Sequence, residues 1–287
     1  MSVSARNQPI DGLRAIAILM VVAVHWFGSY LPICLGGYVG VDLFFVISGY
    51  LITGILIRGG APRTNLRSYF EFMRRRGRRL LPAFVAFLVI GSFIYAFAPG
   101  SPVDLEKLPW SITFAALQLS SFILANGGHI DPFGHFWSLS VEWYFYFLWP
   151  VVVGPLFRSR HKYLYLSLSA AGLYSIAATG TPQFFYYGPL ASFVYLIAGA
   201  AVAFVLADSK IGTKLKKALP MAAGVSAGGM MLWFIAGPVQ LTLEWRFIGF
   251  PAMLVCSAIL VLSATNANFS INRALGSKAV SYTHLRA

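Results

Sequence analysis

Apolar runs, set apart by short connectors rich in arginine and lysine, organise this chain. A helix that crosses a hydrocarbon core of ~30 Å needs about 20 apolar residues. Eight runs approach that length: residues 10–29, 38–57, 80–98, 136–157, 163–179, 190–207, 219–236 and 247–264. The predicted fold class is therefore all-α, a polytopic transmembrane helix bundle. A weaker run, 111–125, is short and carries Gln118, Ser120 and Ser121; its pattern fits a span, a re-entrant segment or an interfacial helix. Charge separates these. If the run does not cross, the loops on one side hold Arg6, Arg58 through Arg79, Arg158, Arg160, Lys162, Lys210 through Lys217, Arg273 and Lys278. Those are 18 of the 22 basic residues, against Lys107 and Arg246 on the other side. The N-terminus is then expected in the cytoplasm. Counting 111–125 as a span puts Arg158 to Lys162 outside.

Composition agrees with a bilayer as solvent. The 287 residues are 58% hydrophobic and only 11% charged, with a mean hydropathy of +0.71, whereas a soluble domain carries about a quarter charged residues. The net charge of +13 would suggest nucleic-acid binding in a soluble protein. Here the basic residues lie in connectors, where they set topology, and nucleic acid is excluded as a partner. The many Trp and Tyr rings fit headgroup level as well as ordinary helix contacts. Cys34 in an outer loop and Cys256 inside an apolar run indicate no disulfide framework. Only Arg6 stands ahead of the first run, which lacks a cleavage site and is followed at once by another, so it reads as a retained helix. No repeat or linker divides the chain. Its closing SYTHLRA resembles a translated sequencing adapter on a truncated frame; 279–287 read as a non-native tail, the artefact beginning near 281.

Ionisable groups within spans cost roughly 2.5 to 3.5 kcal/mol each and call for a partner, water or a function. The first run holds Asp11, Arg14 and His25. Helical spacing puts all three on one face, with Arg14 and His25 ~16 Å apart along the axis, in the inner and outer halves of one stripe. A polar path across the bilayer is one reading; an interfacial ion pair and a hydrogen bond to a neighbouring helix are the plainer ones. The second run, GGYVGVDLFFVISGYLI, adds Asp42, entering from the side of His25 and able to hold its tautomer. In the loop that follows, Arg74, Arg75, Arg76, Arg78 and Arg79 abut the third run. Anchoring and anionic lipid explain that cluster without a ligand; a phosphate clamp is the functional alternative. HFWSLSVEWYFYFLWP sets His135, Ser138, Ser140 and Glu142 at the outer entrance of the fourth run, with Glu142 at about the depth of His25. A carboxylate and an imidazole at one depth suit general acid–base chemistry. Trp137, Trp143 and Trp149 fit interface anchoring and packing.

IDGLRAIAILMVVAVHW, with ten residues between Arg14 and His25, GGYVGVDLFFVISGYLI, FEFMRRRGRRLLPA and HFWSLSVEWYFYFLWP together resemble the membrane acyltransferase type 3 family, which acylates bacterial surface glycans. The resemblance covers about the first 150 residues in the family's order. It implies an O-acyltransferase that transfers groups other than aminoacyl groups, with acyl-CoA, in particular acetyl-CoA, as cytoplasmic donor. The acceptor is then a hydroxyl of a carbohydrate or lipid-linked glycan outside. Ten spans are implied, of which eight are present here, with residues 1–278 as one incomplete transmembrane acyltransferase domain and ALGSKAVSY leading into the ninth. His25 with Arg14 matches the catalytic pair, Arg76 and Arg79 the paired-arginine motif, and Glu142 the acidic position of WSLSVE. Trp143 and Tyr144 depart from the pattern where many members carry Glu and Gln, which bears on acceptor hydrogen bonding.

The expected site is thus Arg75, Arg76 and Arg79 on the CoA phosphates, Arg14 guiding the thioester arm, and His25 as general base, with Glu142 or Asp42 orienting the imidazole. No permanently bound cofactor or metal is expected. The place is the inner, cytoplasmic membrane of the cell, among membrane lipids. A proton-coupled transporter is the rival, because intramembrane Asp, Arg, His and Glu also make proton relays; a non-catalytic scaffold is a third reading.

Overall fold

The computed structural model describes residues 7–28, 30–59, 66–97, 104–208, 218–237 and 241–265. Arg6, Arg63, the lysines from 210 to 217, Arg273, Lys278 and the segment from 279 lie outside them. Among the described residues every regular element is helical, and the chain divides into two compact units, Met1–Gly54 with Val194–Ala287, and Ile55–Phe193.

In the first unit, α1 spans Gln8–Phe27. The Asn7 side chain caps it by accepting from Ile10 N at 3.5 Å, and Pro9 and Asp11 in the first turn suit the exposed N–H groups there. A 3-10 turn, Pro32–Tyr38, leads directly into α2, Val39–Arg58. α2 carries apolar residues on every side, as suits a helix that is largely buried, with Asp42, Ser48 and Thr53 as buried polar exceptions. Its glycines allow close approach. Gly40 meets Ala17 and Val21 of α1, while Gly49 lies on the Leu196 backbone of α9, Pro189–Ala207, whose Gly199 lies in return on Val46 and Tyr50. α10, Leu219–Ala236, then a π-helical turn, Trp245–Gly249, and α11, Phe250–Ala264, complete the unit. Tyr195 on α9 is tied to α11 by its hydroxyl, which donates to Phe250 O at 3.1 Å.

The second unit is built on α3, Leu66–Phe97. The arginine-rich segment is therefore not a loop. It forms the first turns of a 32-residue helix, where Arg67–Glu71 at 3.1 Å and Glu71–Arg75 at 3.9 Å provide i,i+4 pairs. Charge density hides a helix from any reading that looks for apolar runs. Residues 111–125 form α4, Leu108–Ala116, and α5, Ser120–Ala125, parted by Gln118 at φ 58°. Neither reaches across ~30 Å at 1.5 Å per residue. α6, Trp137–Arg158, α7, Lys162–Ala178, and α8, Pro182–Tyr187, follow. Phe84 and Leu88 of α3, Leu108 and Ala115 of α4, and Ile130, Phe133 and Phe136 form the core against which α6 starts.

Six helical stretches among the described residues are long and apolar enough to cross a membrane: Gln8–Phe27, Ile33–Arg58, Leu66–Phe97, Pro182–Ala207, Leu219–Ala236 and Trp245–Ala264. The fourth and fifth expected spans do form helices, α6 and α7, but fall outside this set. Trp, Tyr, Glu and Pro lower the hydropathy of α6, and α7 has only 17 residues.

Candidate active site

α1 is unbroken from Gln8 to Phe27, so Asp11, Arg14 and His25 share one rigid helix. Arg14 is half-buried, its guanidinium 5.5 Å from the centroid of the Phe44 ring on α2, a cation–π arrangement that offsets part of the cost of the charge. His25 is exposed in the last turn. Its Nδ1 lies 2.8 Å from Val21 O. A carbonyl oxygen only accepts, so Nδ1 is the donor in this contact and Nε2 is the ring nitrogen it leaves unengaged. A backbone carbonyl one turn back thus gives the imidazole one orienting contact.

Asp42 lies in the first turn of α2, 6% exposed, with no hydrogen-bond partner for Oδ2 among the described residues. The structure does not bring it into hydrogen bonding with His25. Tyr38, one turn before it, accepts from Trp233 Nε1 at 2.9 Å.

In the second unit the arginines separate by environment. Arg75 reaches Glu71, and Arg74, Arg78 and Arg79 are exposed. Arg76 is half-buried, its guanidinium 5.7 Å from the ring centroids of both Phe72 and Tyr146. Glu142, 6% exposed in the second turn of α6, accepts from the Tyr146 hydroxyl at 2.8 Å. The arginine segment and the WSLSVE segment therefore meet through one tyrosine. Tyr146 was missed in the sequence, although its place one turn after Glu142 was a signal for it. Arg75, Arg76 and Arg79 thus occupy neighbouring positions of one helix in three different environments.

Gln118 was seen only as a polar interruption. Its carbonyl accepts from the Tyr144 hydroxyl at the α4–α5 break, and Ser121 Oγ donates to Tyr187 O at 2.6 Å just beyond. Tyr144 is thereby committed to a backbone bond, and Trp143 Nε1 is buried without a partner among the described residues. Among those residues no group of three His, Cys, Asp or Glu could hold a metal ion.

The family model described as an acyltransferase domain matches residues 7–283. The chain belongs to the acyltransferase type 3 family. The match takes in α1 with Arg14 and His25, Asp42, the arginines of α3 and Glu142. Similar members include the peptidoglycan O-acetyltransferase OatA of Listeria monocytogenes, 34% identical over 213 residues that cover 68% of this chain and 33% of that protein. The O-acetyltransferase OatA of Staphylococcus aureus is 32% identical over 262 residues, covering 84% of this chain and 42% of that one. The chain thus spans less than half the length of these family members. No solved structure matches it.

Proposed function

We propose that the chain is an integral-membrane O-acyltransferase that moves an acetyl group from cytoplasmic acetyl-CoA to a hydroxyl of an extracytoplasmic glycan of the peptidoglycan class. The observation that carries this reading is His25 on an unbroken helix with Arg14, held through Nδ1 to Val21 O so that Nε2 is left as the base. Membership of an acyltransferase family and the names of its relatives support the acyl group and the acceptor class.

In this mechanism Arg76 and Arg79 hold the CoA phosphates, with Arg75 at the edge of the cluster where Glu71 competes for it. Arg14 guides the thioester arm along the stripe toward His25. His25 Nε2 takes the proton of the acceptor hydroxyl as its oxygen bonds the thioester carbon; the C–S bond then breaks and the CoA thiolate takes up the proton. The backbone carbonyl of Val21 holds the tautomer, and Glu142 acts on the donor side through Tyr146 and Arg76. Asp42 contributes a buried carboxyl group in the first turn of α2. α6 and α7 cross the membrane with the six more apolar stretches, giving eight spans and a cytoplasmic N-terminus, and the short helices α4 and α5 stay on the outer side.

The test is transfer of labelled acetyl from acetyl-CoA to a peptidoglycan disaccharide by the purified full chain in detergent micelles, with mass spectrometry of the sugar. An added acetyl mass that depends on the protein is the expected result. Solute movement in proteoliposomes without modification of the sugar would instead establish the transporter.

A further inference from the structure

α3 carries six arginines, and the donor reading uses three of them. Arg67, Arg74 and Arg78 are left over, and they share one side of the helix. At 100° per residue they fall within about 40° of one another, with Arg76 across the axis from their midline. Their surroundings follow that wheel: Arg67, Arg74 and Arg78 are exposed, whereas Arg76 is half-buried against Phe72 and Tyr146. Glu71 engages Arg67 at 3.1 Å and reaches Arg75 at 3.9 Å. Arg74 and Arg78 have no ion-pair, hydrogen-bond or ring partner among the described residues. Two guanidiniums one turn apart therefore stand open on one ridge.

The ridge is not purely polar. Phe70, 63% exposed, and Leu81, 45% exposed, stand on the same side of the helix, within about 60° of the arginine line. The apolar part of α3, residues 80–97, is ~27 Å long at 1.5 Å per residue and fills a hydrocarbon core of ~30 Å. Residues 66–79 are thus left for the headgroup layer on that side. At that level cations meet lipid phosphates, while an aromatic ring and a leucine reach the acyl boundary. A soluble phosphate would match the two charges and leave their apolar neighbours in water; a phospholipid covers both.

We infer that Arg74 and Arg78, flanked by Arg67, Phe70 and Leu81, form a docking surface for the headgroups of anionic phospholipid, separate from Arg76, which faces α6. Charge complementarity sets the class of partner. Each arginine at an anionic leaflet strengthens binding by about fivefold, and the guanidinium fork matches phosphate oxygens. The two sides of α3 then hold different anions, lipid on the open ridge and the acyl donor on the side of Arg76. The lipid surface stands on the helix geometry alone and holds whether or not the chain transfers acyl groups.

The test titrates the purified full chain in detergent with dioleoylphosphatidylglycerol or dioleoylphosphatidylcholine and counts bound lipid by native mass spectrometry. The parent should take up the anionic lipid at a lower concentration than the zwitterionic one. Arg74→Gln with Arg78→Gln is expected to raise the half-saturating concentration of phosphatidylglycerol by about tenfold or more and to leave phosphatidylcholine unchanged. Arg160→Gln, which removes an exposed charge from the connector after α6, should bind as the parent does. If the double variant is not monodisperse on size-exclusion chromatography, Arg74→Gln and Arg78→Gln carry the test singly. No preference for the anionic lipid in the parent overturns the inference, as does parental binding in the folded variants. An equal loss in Arg160→Gln would make net charge the cause and also overturn it. Inorganic phosphate should not displace the lipid; if it does, the ridge is a site for free anions, and if acetyl-CoA does, the ridge belongs to the donor. Either result contradicts a lipid surface.

Discussion

The Tyr146 hydroxyl donates to Glu142 Oε2 at 2.8 Å, and the face of the same ring carries the Arg76 guanidinium 5.7 Å from its centroid. A buried carboxylate and a cation are thereby coupled through one side chain. Tyr146→Phe keeps the ring under Arg76 and removes only the donor, leaving a buried carboxylate oxygen short of a bond. That is expected to cost about 1 to 3 kcal/mol, read as a lower unfolding temperature in detergent. The double variant Tyr146→Phe with Glu142→Gln should lose less than the sum of the single changes; strict additivity would show that the two groups do not act together.

The arginines of α3 should be unequal. Arg76→Ala with Arg79→Ala is expected to raise KM for acetyl-CoA by about tenfold or more, the weight of one or two charge-assisted hydrogen bonds, while Arg75→Ala does less because Glu71 already engages it. Initial rates against acetyl-CoA at matched expression decide this. Equal donor dependence in the double variant and parent would leave the cluster as a membrane anchor.

The crossing of α2 and α9 depends on two reciprocal glycines, Gly49 on Leu196 and Gly199 on Val46. In both directions a Cβ meets backbone, which cannot rotate away. Gly49→Val and Gly199→Val should each destabilise the fold by about 1 to 3 kcal/mol or more, reducing the monodisperse fraction on chromatography. Gly172→Val on α7, where a Cβ meets nothing within 4 Å, is the control and should behave as the parent.

How far the chain was legible differs from element to element. Apolar runs located α1 and α2 to within a few residues because their few polar residues leave each run apolar on average. The start of α3 was lost because its apolar positions, Leu66, Tyr69, Phe70 and Met73, stand at helical spacing among charged residues, and a search for continuous apolar runs passes over them. Motifs brought forward Arg14, His25, Asp42, Glu142 and the arginines, but not what each touches. The bond of His25 to Val21 O is local and could have been anticipated from i,i−4 spacing. The seat of Arg76 on Tyr146 depends on how α3 docks on α6, which no local pattern encodes. The break at Gln118 needs a positive φ in a residue other than glycine, an uncommon state that its own sequence does not signal.

Topology can be read directly with an impermeant thiol reagent on intact cells in a Cys34→Ala background. Lys107→Cys is expected to react from outside and Arg160→Cys only after the membrane is opened, following the asymmetry of the basic connectors. Reaction of Arg160→Cys on intact cells would invert the arrangement of α6 and α7.

The account turns on His25, and the most direct measurement is acetyl transfer by His25→Gln in the full chain. The side chain is exposed and its one described polar contact is with Val21 O, so the variant should insert and fold as the parent does. Glutamine keeps volume and hydrogen bonding but takes up no proton near neutral pH. Turnover is expected to fall about 10²- to 10⁴-fold, the contribution of a general base. Retention of more than about a tenth of parental turnover would contradict the account and move the base to another residue.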